Sequence, residues 1–226
     1  MEADTIRLFH ITAIKNLDDI SRSGAILCKS TNHAQGIAYQ NIAHAGAQGA
    51  RAGKAVPNPP GGMIHDFVPF YFAPRSPMLY AINGGNVANC NLRQEDILHF
   101  ETNVQQISQL GNDIVFYDRN ATLRFSIPYT DISLLPTVVD WSLITETPCL
   151  NGFCKYFHNM PSHSQYVDRM EKRQAEFLVK QRVPLTSIAK IGVMSQEAAK
   201  KVGIILAKAG IKLAVEVKTD WYFLGQ

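Results

Sequence analysis

The sequence has no apolar run of about 18 residues, so no membrane-spanning helix is expected. Its opening, Met1-Glu-Ala-Asp-Thr-Ile6, has no basic segment leading into an apolar one, so no secretory signal is expected either. Cysteine is scarce: Cys28, Cys90, Cys149 and Cys154 are too few to staple 226 residues, and reduced thiols in a cytoplasmic chain are expected. There is no internal repeat and no low-complexity tract. No phosphate-binding glycine loop occurs, because Gly46-Ala-Gln-Gly49 and Gly53-Lys54 lack the spacing and the Ser/Thr. The absence of a G-x-S-x-G elbow argues against a serine hydrolase of that type.

What is present is ordinary globular composition. Hydrophobic residues make up 46% and charged residues 18%, which excludes a wholly disordered chain and suffices for a real core. At roughly 150 residues per domain, a single domain over 1–226 is the simplest organisation. A net charge of +3 does not by itself imply nucleic acid. The charge is uneven, however. Residues 76–146 carry three basic residues against eight acidic ones, whereas residues 151–190 carry seven basic against three acidic. The basic stretch is interleaved with Tyr156, Phe157, Tyr166 and Phe177. Cations on phosphates and rings on unpaired bases suit single-stranded nucleic acid. A solvated basic face over core aromatics fits the same pattern.

The patterning predicts strands at 6–11, 26–28, 67–73, 97–101, 114–117, 123–126, 176–183, 188–193 and 211–217. Asp118-Arg-Asn-Ala121 reads as the turn of a hairpin joining the strands at 114–117 and 123–126. Helices are predicted from an Asn16 cap to Gly24, from Ser76-Pro77 to about Ile82, over 103–110, and from a Ser195 cap to Gly210. Residues 33–54 are rich in Ala and Gly and predict an interrupted helix or mobile loop. Residues 128–168 show no clear element, and a long irregular stretch in a compact domain is functional or disordered. Strands and helices do not alternate regularly, which predicts an α+β fold rather than a doubly wound sheet.

Several residues are candidates for chemistry. Cys149, Cys154, His158 and His163 are the residue types of a zinc site, but the spacing is too short for a finger module, and an ordinary loop fits equally. Glu176 opens an apolar strand after the irregular stretch, where a carboxylate is placed to stabilise a cationic transition state; a solvated strand-edge Glu has the same signature. His10 and Thr12 are two apart on the first strand and share a face. His10 suits a ligand hydroxyl, or a core position. Arg51, the sole Lys or Arg between Lys29 and Lys54, suits a diphosphate, or an exposed surface.

Three separated blocks narrow these alternatives. Phe9-His10-Ile11-Thr12, followed by Asn16-Leu17 and Ile20, resembles the opening of the DarT family of DNA ADP-ribosyltransferase toxins. Val68-Pro-Phe-Tyr-Phe-Ala-Pro-Arg75-Ser-Pro-Met-Leu79 is similar to a second stretch of that family, and Arg173-Gln-Ala-Glu176-Phe-Leu-Val resembles its catalytic-glutamate motif. The blocks span residues 9–179 in the family's order.

The resemblance implies an ADP-ribosyltransferase-like α+β fold, with a split, bent mixed sheet gripping NAD+ in a cleft and helices outside. It implies transfer of ADP-ribose from NAD+ to a base in single-stranded DNA, with thymine favoured over guanine and nicotinamide released, by the toxin of a toxin–antitoxin or phage-defence pair. Glu176 and Arg51 would be catalytic. His10, Ile11, Thr12, Asp19, Leu27, Arg51 and Tyr71 would bind NAD+, with about 33–53 as the cofactor-covering element. About 130–176 would read the substrate, with Arg75, Lys155, Tyr156, Tyr166, Arg169 and Arg173 on DNA. No metal is implied. The implied partners are single-stranded DNA and a macrodomain antitoxin that removes the mark; the chain itself is expected to be a monomer, with no membrane partner. Where the target is a thymine ring nitrogen, the family's arginine has been taken as the proton acceptor. A guanidinium stays protonated, so Arg51 is read here as a donor clamp that lowers the base's proton affinity. The alternatives are an ADP-ribosyltransferase acting on protein or RNA, an NAD+ glycohydrolase, and a non-catalytic nucleic-acid-binding module on the same fold.

Overall fold

A computed structural model describes residues 2–43, 45–88 and 90–223. The chain begins with a central strand. β1 (Arg7–Ala13) is buried from Leu8 to its end, as a strand covered on both faces must be. It leads into α1 (Leu17–Ser23), which closes on Gly24 at φ 65°, a conformation glycine adopts without a Cβ clash. Asn16 precedes the helix without capping it; its amide is spent on Thr12 Oγ1 and the Gln40 carbonyl. β2 (Ala25–Leu27) and α2 (Lys29–Ala34) follow. The Ala/Gly segment is indeed interrupted, and resumes as α3 (Ala45–Ala52).

β3 (Phe67–Tyr71) is followed by α4 (Pro77–Asn83), whose Ser76 Oγ accepts the Leu79 N–H as predicted. β4 (Ile97–Asn103), α5 (Val104–Ser108) and β5 (Ile114–Tyr117) come next. The strand predicted at 123–126 is absent: β5 pairs instead with β6 (Pro128–Tyr129), and residues 118–127 form a compact loop. The Asn120 side chain folds that loop by accepting from the Thr122 N–H and hydroxyl. The aperiodic stretch also contains α6 (Leu135–Val138), α7 (Trp141–Thr145), and the two-strand hairpin β7 (Cys149–Leu150) and β8 (Phe153–Cys154). These elements are too short to leave a period. α8 (Arg169–Lys172) precedes β9 (Glu176–Lys180). The predicted strand 176–183 breaks at Gln181, φ 65°, so that β10 (Arg182–Pro184) pairs with β2 in a separate ladder. β11 (Lys190–Val193), α9 (Gln196–Lys208) and β12 (Val215–Val217) complete the described elements.

The main sheet has the order β12-β11-β4-β1-β3-β9-β5-β6, antiparallel except between β11 and β12. β1 pairs with β4 along its whole length, and β3 likewise with β9. Between β1 and β3, however, the only paired position is Phe9 with Tyr71. The sheet is thus split into two halves. Pro69 contributes to the split, because it has no N–H to offer a ladder. Its carbonyl accepts from the His10 side chain instead, with Nδ1 at 2.8 Å.

Successive residues of the strands face opposite sides. Phe70, Phe116, Phe177 and Val179 enter the large core. Val115, Tyr117, Leu178, Phe67 and Ile64 form a smaller cluster on the other face, the face that carries Glu176.

Candidate active site

The split opens into a cleft of about 480 Å³, within the size range of small-molecule sites. β1 contributes His10 and Ile11, β2 contributes Leu27, and β3 contributes Pro69 and Tyr71. α3 contributes Arg51, the loop after β5 contributes Asn120 and Thr122, and β9 contributes Glu176.

Glu176 stands directly opposite Tyr71 on one side and Tyr117 on the other, so the three side chains share one face in a row. Its carboxylate is 2% exposed and is met by Arg51, whose Nη1 lies 2.7 Å from Oε2 and 3.0 Å from Oε1. The Glu176 carboxylate holds Arg51 firmly protonated against the opposing effect of burial. The carboxylate also raises both phenols: burial first, then Glu176, pushes Tyr71 far up and Tyr117 to about 12. The Tyr117 hydroxyl is buried without a partner among the described residues.

His10 is 7% exposed, and burial lowers its pKa from 6.5 to about 4. It is therefore neutral at physiological pH. Nδ1 must carry the proton, because it faces a carbonyl oxygen. Nε2 is then a bare acceptor, and it has no partner among the described residues.

Two of the residues expected to touch cofactor lie elsewhere. Thr12 does not line the cleft; it is fully buried, and its hydroxyl meets that of Tyr39, which does. Together with the bonds between Asn16 and Gln40, this ties the 39–40 segment to β1 and to the turn before α1. Asp19 is on α1, outside the cleft lining, and pairs with Arg22 at 2.6 Å.

The DNA candidates divide by burial. Arg75 is 1% exposed and donates to the carbonyls of Leu150, Phe153 and Asp220. Arg173 is 5% exposed and donates to the Leu143 and Ile144 carbonyls; burial, with Arg75 and Arg169 nearby, lowers its pKa to about 10. Arg169 is buried against the Tyr166 ring, 3.5 Å from its centroid, and reaches Glu146. These three arginines hold the aperiodic stretch together and have no surface to give to DNA. Phe157, expected as a stacking ring, is likewise buried. Tyr156 is exposed, and Lys155 and Tyr166 are half-buried. Among the described residues no three of His, Cys, Asp and Glu converge on a metal position. Cys149 and Cys154 sit opposite each other across the β7–β8 hairpin as free thiols.

Sequence reasoning missed Tyr39, Tyr117, Asn120 and Gln174. Gln174 carried a signal, two residues before Glu176 in the same block. Its side chain accepts from Asn120 Nδ2 at 2.6 Å, closing one wall of the cleft beside the glutamate.

A sheet split at one paired position, with its cleft on the face of a buried glutamate, is the architecture of an ADP-ribosyltransferase. The structure of Thermus sp. 2.9 DarT in complex with ADP-ribosylated ssDNA superposes with a TM-score of 0.84 at 35% identity, over 96% of each chain. That of the same protein in complex with NAD+ gives 0.81 at 33% identity, over 99% of this chain and all of the other. The curated DNA ADP-ribosyl transferase of Thermus sp. (strain 2.9) is 35% identical over 218 residues, 96% of this chain and 95% of the relative. The profile of the family described as ssDNA thymidine ADP-ribosyltransferase, DarT, matches residues 9–223. The chain belongs to the DarT family.

Proposed function

We propose that the protein transfers ADP-ribose from NAD+ to a base of single-stranded DNA, thymine in preference to guanine, and releases nicotinamide. The observation that carries this is Glu176, buried on the floor of the cleft between two tyrosines and facing Arg51, with the bare Nε2 of His10 in the same cavity. Solved relatives hold NAD+ and ADP-ribosylated ssDNA. The description of the matched family supports thymine.

The residues fit NAD+. His10 Nε2 accepts from a ribose hydroxyl of the nicotinamide half, and Ile11 and Leu27 pack beside it. NAD+ supplies a glycosidic bond whose cleavage builds positive charge at the ribose. Glu176 stabilises that charge through the ribose hydroxyls. To do so it exchanges part of its contact with Arg51, freeing N–H groups of the guanidinium for the diphosphate or the acceptor base. Arg51 acts as a permanent cation and not as a base, because Glu176 and its other neighbours keep it charged. Its field eases loss of the ring N–H proton of the base to solvent. The 33–53 segment, pinned by Tyr39 and Gln40, covers the cleft and keeps water from the reacting bond.

The function proposed for the cell is that of a toxin, with a macrodomain antitoxin as the partner that removes the mark. The reaction is tested by the time course of free nicotinamide with and without single-stranded DNA. Release that requires DNA is expected. Equal release without it identifies a glycohydrolase.

A further inference from the structure

The three buried arginines leave a question the fold itself answers: which surface receives the strand on either side of the modified base. We propose that it is the loop between Tyr117 and Pro128, with the Phe125 ring as the platform on which a nucleotide flanking the target stacks. This rests on the single-stranded DNA acceptor proposed above.

Phe125 is 60% exposed, in a chain that buries most of its phenylalanines completely. The ring is not left loose. The Arg119 guanidinium lies 5.1 Å from its centroid and is itself held by Asp118 and Asp168. The loop that carries the ring is fixed at several points. Asn120 N–H donates to the Glu171 carbonyl, Ser126 Oγ donates to the Asn120 carbonyl, and Lys54 Nζ donates to the Leu123 carbonyl at 3.1 Å. The ring already stacks on Arg119 with one face and leaves the rest of its surface to water, and because it is held in place it meets a base with little ordering cost.

The loop is continuous with the cleft. Asn120 and Thr122 line the cavity that holds Glu176, five and three residues before Phe125. A base over Glu176 therefore leaves its neighbour at the loop. The charge is complementary as well. Arg124 is exposed beside the ring and forms no ion pair among the described residues, so it is free for a phosphate. Ile127, 52% exposed, extends the apolar surface on the other side.

The test is fluorescence anisotropy with a labelled mixed-sequence single-stranded oligonucleotide, on the full chain, alongside NAD+ titration. Phe125→Ala is expected to weaken the oligonucleotide about tenfold, the range of one base–ring stack, with NAD+ affinity unchanged. Phe125→Tyr is expected to restore binding. Arg124→Ala is expected to lower the slope of log affinity against log salt by about 0.7, the loss of one phosphate contact. Oligonucleotide affinity within twofold of the unaltered chain for Phe125→Ala overturns the proposal, and leaves the ring to a protein partner. Loss of NAD+ and DNA binding in parallel also overturns it, because the ring is then structural. No DNA binding by the unaltered chain overturns the acceptor reading along with this surface.

Discussion

Burial decides what each charged or titratable side chain can do. His10 and His99 are both enclosed, and burial lowers each from 6.5 to about 4. Each donates one ring nitrogen to a carbonyl, of Pro69 and Pro74 respectively. The unfolded chain therefore binds protons below about pH 6.5 that the folded chain refuses. Their contribution is fully present above that pH and is lost as the pH falls through 6.5 towards 4. The loss reaches about 3 kcal/mol for each group once the pH is below about 4. Urea unfolding at pH 7.5, 6.0 and 5.0 is expected to show stability falling over this range, before most carboxylates titrate. A flat profile contradicts the enclosed, neutral histidines. The same burial explains what the sequence conceals. Arg169 and Arg173 belong to a stretch that reads as a basic groove next to aromatics, and Arg75 is a DNA candidate by resemblance, because sequence records charge and not the carbonyls, carboxylate and ring that occupy it.

Elements with local signals are legible in advance, and elements held by distant partners are not. Ser76-Pro77, Gly24 and Ser195 mark helix ends through bonds within a few residues, and each does so in the structure. The loop after β5 has the pattern of a strand because Leu123 and Phe125 alternate with polar residues, while its shape is set by Asn120, Glu171 and Lys54. The β7–β8 hairpin is likewise organised from outside. Arg75 donates across it to Leu150 and Phe153, and to Asp220 of the C-terminal segment. Arg75→Ala strands those carbonyls and is expected to cost about 3 kcal/mol in thermal or chemical unfolding. DNA affinity per folded molecule is expected to stay unchanged. Loss of DNA affinity at unaltered stability returns Arg75 to the DNA surface.

At the scale of the molecule, the site depends on a sheet whose long central ladders are interrupted between β1 and β3. Seven positions join β1 to β4 and five join β3 to β9, whereas one joins β1 to β3. The residues of the site come from both halves: His10 and Ile11 from one, Tyr71 and Glu176 from the other, with Arg51 reaching down from α3. No periodicity in the sequence could have placed Arg51 on Glu176, 125 residues away. Residue type marks His10, Arg51 and Glu176 as separate candidates, the resemblance in three blocks implies one site, and the fold supplies their contact. The measurement that tests this account most directly is the mass of single-stranded oligonucleotides after incubation with NAD+ and either the unaltered chain or Glu176→Ala. The account predicts an ADP-ribose adduct on thymine-containing oligonucleotides with the unaltered chain and none with the variant. An adduct of equal yield with Glu176→Ala, or no adduct on any base from a chain that binds NAD+, contradicts it.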